Sequence, residues 1–481
     1  MGQDRNDLIR GAVAEHRSFD DGSPSGATTA RGPGNAPGEL FYAGSFDLAH
    51  AAAGRQRQAG VVRLMTSARR HNGIMSPANQ RTAATAADFL PDDRFAGTLV
   101  GRAWLPPPRP AQPGGPAIVA LRENGVFDLS TSWPTMSGLL EEDDPAAAVS
   151  AVAGRHVCGV DELLRGTVAA DASSPRLLAP CDLQVIKAAG VTFASSLLER
   201  VIEERAKGDP AAAAEVRSRV LEILGGSLDD VQPGSERALR LKGLLQRQGL
   251  WSQYLEVGIG PDAEIFTKAP VLSAVGWGAE VGIHPASQWN NPEPEIVLAV
   301  DSRGRVKGAA LGNDVNLRDV EGRSALLLGK AKDNNASCAI GPFLRLFDAG
   351  FELDDVRRCV VTLEVDGDDG FELRGESSMA QISRDPLDLV RQAHGAHHQY
   401  PDGFVLFLGT MFAPVKDRGP AGSGFTHRAG DIVRIRTPRL GTLVNTVQPC
   451  DRIAPWTFGL RALIDHLARR GLLAAPPSAQ A

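Results

Sequence analysis

The chain has 481 residues, 43% hydrophobic and 22% charged, an ordinary globular balance with length for about two or three domains. Its formal net charge of −6 argues against the basic face with which a nucleic-acid binder meets phosphates. Five scattered cysteines, odd in number and without a CxxC pair, exclude a disulfide or zinc scaffold and lead us to expect a reduced, cytoplasmic protein.

In chain order, residues 1–88 come first. They show no basic start followed by an apolar stretch, so no secretory signal is expected. Asp20–Pro37 is mostly Gly, Ser, Pro and Ala, which bury too little apolar surface to offset the entropy of ordering. We expect 1–88 to be a disordered extension. Met75 is a candidate first residue of a shorter natural product, which the intact mass of the native protein would reveal. Order is expected from Phe89. Thr98–Trp104 and Ala117–Leu121 read as strands across a Pro-rich loop, and Asn124-Gly125 as a turn into Val126–Leu129. With helices over Thr135–Leu140 and Ala147–Ala153, these suggest a small, β-rich α+β N-terminal domain over 89–180.

From 181 to 253 the apolar period becomes helical. Phe193, Leu197, Val201 and Ile202 recur among charged residues. Pro210–Ile223 has Pro at its start and Gly225-Gly226 beyond its end, and Arg237–Leu250 is a third helix. Strands return over 254–475: Ala263–Phe266, Ile296–Val300, Val306–Leu311, Val360–Val365, Gly403–Leu408 and Asp431–Arg436. They are too many for one hairpin, so a barrel, roll or sandwich is expected, and the fold class is α+β, mainly β. No apolar run approaches the roughly 20 residues needed to cross a bilayer, so no membrane association is expected.

The segment Asn290-Asn291-Pro292-Glu293-Pro294-Glu295 carries the clearest chemistry. It leads into the apolar strand Ile296–Val300. Residues two apart on a strand share a face, so Glu293 and Glu295 project together. Asp301 and Gly304 suit a tight hairpin, which returns Asp314 towards both glutamates. Three hard oxygen donors at one point suit Mg²⁺, Mn²⁺ or Ca²⁺ rather than zinc. The plain alternative is a solvated pair of acids at a strand end. Only eight of the 51 basic residues are lysines, so a lysine near carboxylates stands out.

These residues and their neighbours resemble the fumarylacetoacetate hydrolase superfamily over roughly Lys187–Val447. The matching stretches are Glu293-Pro294-Glu295, Gly312-Asn313-Asp314 through Arg318, Lys332 ahead of Cys338–Pro342, Gly409-Thr410 and Ala429-Gly430-Asp431. The resemblance implies a fumarylacetoacetase-type β-roll or sandwich with a helical lid. It implies Mg²⁺, with Mn²⁺ as a substitute, held by Glu293, Glu295 and Asp314. It implies an active-site lysine at Lys332, with Lys330 as the rival, and substrate contact at Thr410. A small-molecule 2-keto acid as substrate and a homodimer follow from the same likeness.

Hydrolytic members of this family carry a His-x-x-Glu pair on the lid. Here Ser196 stands at the histidine position and Glu199 keeps the glutamate. A serine hydroxyl is a poor general base, so water activation loses its usual group. Ala188–Phe193 is similar to the branch that dehydrates 2-keto-3-deoxy sugar acids. The expected reaction is therefore Mg²⁺-dependent dehydration of a 2-keto-3-deoxy pentonate to 2,5-dioxopentanoate, with Lys332 serving C3, Glu199 as acid to the leaving hydroxyl and Ser196 holding it. The alternatives are a C–C hydrolase of 2,4-diketo acids and a non-catalytic keto-acid binder. Thr267 is a further candidate substrate contact, and its neighbour Lys268 a weaker one. Arg318 is a candidate substrate contact too, or with Glu321 a pair that orients the ligands. His394, His397 and His398 read as a solvent-exposed loop rather than a metal site.

Overall fold

In a computed structural model, the described residues run from 86 to 473 apart from 108–112, 172, 211, 214, 216–230, 248–250, 411, 413, 415 and 420–423. They belong to one unit, Asn72–Ala481. Of the extension 1–88 only 86–88 are described, in the helix Ala86–Phe89 rather than disordered, and of the expected helix Pro210–Ile223 only 210, 212, 213 and 215, all helical.

The first strands are β1 (Leu99–Leu105), β2 (Gly115–Arg122), β3 (Gly125–Asp128), β4 (Arg155–Cys158), β5 (Arg176–Leu178) and β6 (Val185–Gly190). Next come β7 (Glu264–Ala269), β8 (Glu280–Ile283), β9 (Asn290–Asn291), β10 (Pro294–Val300), β11 (Val306–Asp314) and β12 (Asn316–Leu317). The last are β13 (Cys338–Leu346), β14 (Val360–Asp366), β15 (Glu372–Ser378), β16 (Phe404–Phe407), β17 (Ile432–Thr437) and β18 (Gly441–Pro449). Among the described residues they form an eleven-stranded sheet, ordered β4-β3-β2-β1-β13-β11-β10-β16-β6-β7 with β5 beside β1. A five-stranded sheet is ordered β15-β14-β17-β18-β8, and β12 pairs with β9. The mainly β class expected from the sequence is therefore observed. The strands of 89–180 and those of 254–475 share one sheet through the antiparallel pair β1–β13.

Strand β10 shows why the two sheets pack. Ile296, Leu298 and Val300 point to one face and join Val361, Leu363, Val365, Val433, Ile435 and Leu443 of the five-stranded sheet in one core. Val297 and Ala299 point to the other face, with Val405, Phe407, Ile186 and Ala188. A strand buried on both faces must read as a continuous apolar run, as this one does. The second face is covered by α1 (Met136–Leu140) and α2 (Pro145–Ala151), which contribute Met136, Leu139, Leu140, Ala146 and Val149. Both helices start on side-chain caps, Thr135 accepting from Gly138 N and Asp144 from Ala147 N.

The segment 181–253 departs from the helical reading at its start. Val185–Gly190 is strand β6, parallel to β16 and antiparallel to β7. Its two β-branched residues favour a strand, and pairing on both sides overrides the helix formers Lys187 and Ala188. Helices follow: α3 (Ala194–Arg205), α4 (Glu236–Arg247) and α5 (Gln253–Ile259). Phe193, Leu197, Val201 and Ile202 are all buried, as their spacing predicts. Among the described residues no helix is long and apolar enough to cross a membrane.

Gly312 on β11 faces the second core, where a Cβ would overlap the Phe407 ring and Val297. Gly312→Ala is expected to cost about 1–3 kcal/mol by overpacking, read as a lowered urea midpoint with an unchanged m-value.

Candidate active site

The β10–β11 hairpin assembles the acidic cluster. Asp301 and Gly304 close its turn, Asp301 N donating to Arg305 O and Gly304 N to Asp301 O, each at 3.0 Å. The register sets Glu295 opposite Gly312, and Asp314 N donates to Glu293 O at 3.0 Å. Glu293, Glu295 and Asp314 each bring one carboxylate oxygen within 4.8 Å of the others. All three are at most 2% exposed, so the picture of a solvated acid pair fails. Gly409 N donates to Glu295 Oε2 at 2.7 Å. Gly409 holds φ +101° and lies against Thr192, which leaves no room for a side chain there.

Two lysines meet this cluster. Lys332 ends α7 (Leu328–Lys332), which follows α6 (Arg318–Glu321). Its ammonium donates to Glu293 Oε2 and, at 3.1 Å, to Asp314 Oδ2. Lys330, the rival, is exposed. Lys268 on β7 is fully buried and pairs with Asp314 Oδ1 at 2.7 Å. It also donates to Val315 O at 3.1 Å and to the Lys332 carbonyl. Thr267, its neighbour, is exposed and accepts from Lys187 Nζ at 3.0 Å. The structure therefore places Thr267 away from the carboxylates and Lys268 among them. Adjacent residues on a strand point to opposite faces, and the candidacy belonged one residue later.

Helix α3 forms the facing wall. A small cavity of about 10 Å³, room for about one water, is lined by Ser196, Glu199, Arg200, Glu203, Asn291, Glu293, Arg318 and Thr410. Ser196, Glu199, Arg318 and Thr410 thus come together with one acid of the cluster. Ser196 Oγ donates back to Phe193 O at 2.9 Å, and Thr410 Oγ1 to Phe412 O at 3.1 Å. Arg318 is held on every side. Its Nη2 pairs with Glu199 at 2.7 Å, its Nε with Glu203 at 2.6 Å, and its Nη1 donates to Pro414 O at 3.2 Å. Its guanidinium lies 4.4 Å from the centroid of Trp289. Arg318 is 2% exposed and pairs with Glu199 and Glu203, while Glu321, its expected partner, pairs with Arg200.

Arg200 is a residue the sequence reading passed over. Its Nη2 pairs with Glu293 Oε1, its Nη1 with Glu203 at 2.7 Å and its Nε with Glu321 at 3.3 Å. The signal was present as i, i+3 spacing from Glu203 on one helix, but ion pairs of that spacing are common on solvated faces. His397 and His398 are exposed, in keeping with the loop assigned to them, but His394 is half-buried, stacked on Phe404 with its Nε2 3.2 Å from Ser302 O.

Charge decides what the cluster can hold. Among the described residues, six buried carboxylates (Glu199, Glu203, Glu293, Glu295, Asp314, Glu321) face four buried cations (Arg200, Lys268, Arg318, Lys332). With all six ionised the excess is two negative charges, which one divalent cation neutralises. Glu295 bears most of the strain. Burial, then repulsion from Asp314 and Glu293, pushes its carboxyl well above the usual range. Among the described residues, no lysine or arginine lies within ion-pair distance of it. Burial also raises Glu293, against the pull of Lys332 and Arg200. Asp314 is held low, because Lys268 and Lys332 outweigh its burial. Burial works against the charge on Lys332, but Asp314 and Glu293 overcome it and keep the amine protonated. Hard carboxylate oxygens with uncompensated charge fit a hard divalent cation.

Comparison with known proteins agrees with this geometry. Residues 256–448 match the family described as fumarylacetoacetate (FAA) hydrolase C-terminal. The chain is 29% identical over 185 residues to the 2-dehydro-3-deoxy-D-arabinonate dehydratase of Saccharolobus solfataricus. It is 28% identical over 194 residues to a probable 2-keto-3-deoxyxylonate dehydratase of Haloferax volcanii. These matches span 38% and 40% of this chain, and only 58% and 63% of the relatives' own lengths. Among solved structures, a 2-keto-3-deoxy-D-arabinonate dehydratase complexed with magnesium and 2,5-dioxopentanoate superposes with a TM-score of 0.51 at 19% identity, covering 74% of this chain and 100% of that one. Its apo form gives the same TM-score over 73% of this chain and 99% of that one. The overall fold is thus of the fumarylacetoacetase type, and residues 256–448 are similar to the fumarylacetoacetate (FAA) hydrolase C-terminal family.

Proposed function

We propose that this protein is a Mg²⁺-dependent dehydratase that converts a 2-keto-3-deoxy pentonate into 2,5-dioxopentanoate. The observation that carries the proposal is the buried carboxylate trio with Lys332 beside it, facing a cavity that holds Ser196 and Glu199 and, among its lining residues, no histidine. The names of the dehydratase relatives support the same reaction. In this reading α3–α5 act as the lid, and 89–180 is the small N-terminal domain.

Mg²⁺ held by Glu293, Glu295 and Asp314 would withdraw charge from the carbonyl of a keto acid and ease loss of a proton from C3. The Lys332 ammonium supplies positive charge next to the developing enolate. Glu199, paired with Arg318 Nη2, takes the C3 proton. It returns that proton to the C4 hydroxyl, which leaves as water as the C3–C4 double bond forms. Ser196, whose own proton is spent on Phe193 O, accepts from that hydroxyl and orients it. Transfer of a proton from C5 to C3 then gives the enol of 2,5-dioxopentanoate. Thr410, on the cavity wall, contacts the substrate carboxylate.

An assay with Mg²⁺ on 2-keto-3-deoxy-D-arabinonate and on an acylpyruvate tests this. The semialdehyde is expected from the first and nothing from the second; pyruvate from the acylpyruvate alone would select the hydrolase instead. Glu199→Gln is expected to lower kcat by about 10²–10⁴-fold, the usual worth of a positioned proton carrier. Full turnover of that variant would remove Glu199 from the mechanism.

A further inference from the structure

Arg200 is 7% exposed and reaches three carboxylates, yet it also lines the cavity. Two of its partners lie outside the carboxylate trio: Glu203, one helical turn along α3, and Glu321, the last residue of α6. The third, Glu293, belongs to the trio. Both oxygens of Glu293 are engaged, Oε1 by Arg200 and Oε2 by Lys332. A divalent cation at the trio therefore competes with two bases for the charge of Glu293. Lys332 has a second acceptor in Asp314 and stays within the cluster. Arg200 lines the cavity and touches the trio through Nη2 alone. Arg318, the other guanidinium of the wall, has all its arms committed to Glu199, Glu203 and Pro414 O, and its face stacks on Trp289.

We propose that Arg200 is an exchangeable anion-binding arm: it yields Glu293 Oε1 to the cation and turns Nη2 onto the carboxylate of the keto acid, so that the cation binds before the substrate. Glu203 and Glu321 keep hold of Nη1 and Nε during the exchange, so only one arm of the guanidinium moves. The proposal rests on the metal-dependent reading of the site, and it adds an order of binding and a contact for the substrate's negative end. A planar guanidinium suits both tasks, because it pairs with carboxylates edge-on and keeps its charge in a buried site.

The test reads binding rather than turnover. Mn²⁺ affinity is measured by electron paramagnetic resonance, and pyruvate affinity by calorimetry at saturating Mn²⁺. Arg200→Met removes a positive charge that competes for Glu293, so Mn²⁺ is expected to bind about tenfold tighter. Pyruvate is expected to bind at least about tenfold more weakly, the worth of one charge-assisted contact. These opposite signs separate an exchanging arm from a merely structural residue, whose loss would weaken both. Weakened Mn²⁺ binding, or unchanged pyruvate binding, overturns the proposal. If Arg200→Met does not fold, Arg200→Lys decides. It keeps the charge but loses the fork, so Mn²⁺ affinity should hold while pyruvate affinity falls; unchanged pyruvate affinity overturns the proposal. Failure of the unaltered protein to bind Mn²⁺ at all would defeat the metal-dependent reading itself, an outcome distinct from the others.

Discussion

Lys332→Met is expected to lower turnover of the keto-deoxy acid by about 10³-fold or more, with substrate still able to enter the cavity. Methionine keeps the length of the side chain and removes the ammonium. The expected loss combines charge stabilisation of a developing enolate, worth roughly 10²–10³, with the precise seating of the acids around it. The same change leaves Glu293 and Asp314 each with one basic partner, Arg200 and Lys268 respectively. Removing one member of a buried pair typically costs about 3–5 kcal/mol, and the remaining partners should hold the loss to the low end of that range. Product formation followed by aldehyde trapping, together with the thermal midpoint, reads both effects. A variant that retains wild-type kcat would remove the amine from the chemistry.

Glu295→Gln separates stability from function. Glu295 is 1% exposed, lies against two other acids and accepts from a backbone N–H rather than from a base. Its carboxyl is buried against two acids with no base beside it, so an amide in its place should stabilise the protein without added metal by about 1 kcal/mol, in the range usual for functional-site substitutions. Added Mg²⁺ should raise the thermal midpoint of the unaltered protein and leave that of the variant nearly unmoved. Activity should fall by at least about 10²-fold, since a three-carboxylate site loses one ligand. Chelation with EDTA should bring the unaltered protein to the same low activity, and Mg²⁺ or Mn²⁺ should restore it. A variant less stable than its parent without metal would contradict the charge balance drawn here.

Much of this site was legible in the sequence because its residues obey short-range rules. Glu293 and Glu295 share a face by strand alternation. Asp314 returns to them because Asp301 and Gly304 close a tight hairpin. The family resemblance favours Lys332 over Lys330, and the burial of the first and exposure of the second agree. What escaped was set by tertiary packing. Lys268 differs from Thr267 by one position, and the face a single strand buries depends on what covers it. Arg200 sits in a helix rich in Glu and Arg, where composition suggests a wet surface. It is buried because α3 lies over the acidic cluster, so its partners Glu293 and Glu321 come from more than 90 residues away. Strand β6 was taken for helix because its partners β16 and β7 lie far off in the chain. The shared sheet of 89–180 and 254–475 is non-local in the same way, since β1 meets β13 across more than 230 residues.

The most direct test is a crystal grown with Mn²⁺ and measured at a wavelength where manganese scatters anomalously. A single strong peak within about 2.0–2.3 Å of one oxygen each from Glu293, Glu295 and Asp314 is the expected result. No peak at the three carboxylates, or a peak held by other residues while these acids keep Lys332 and Arg200 as their only partners, would contradict it.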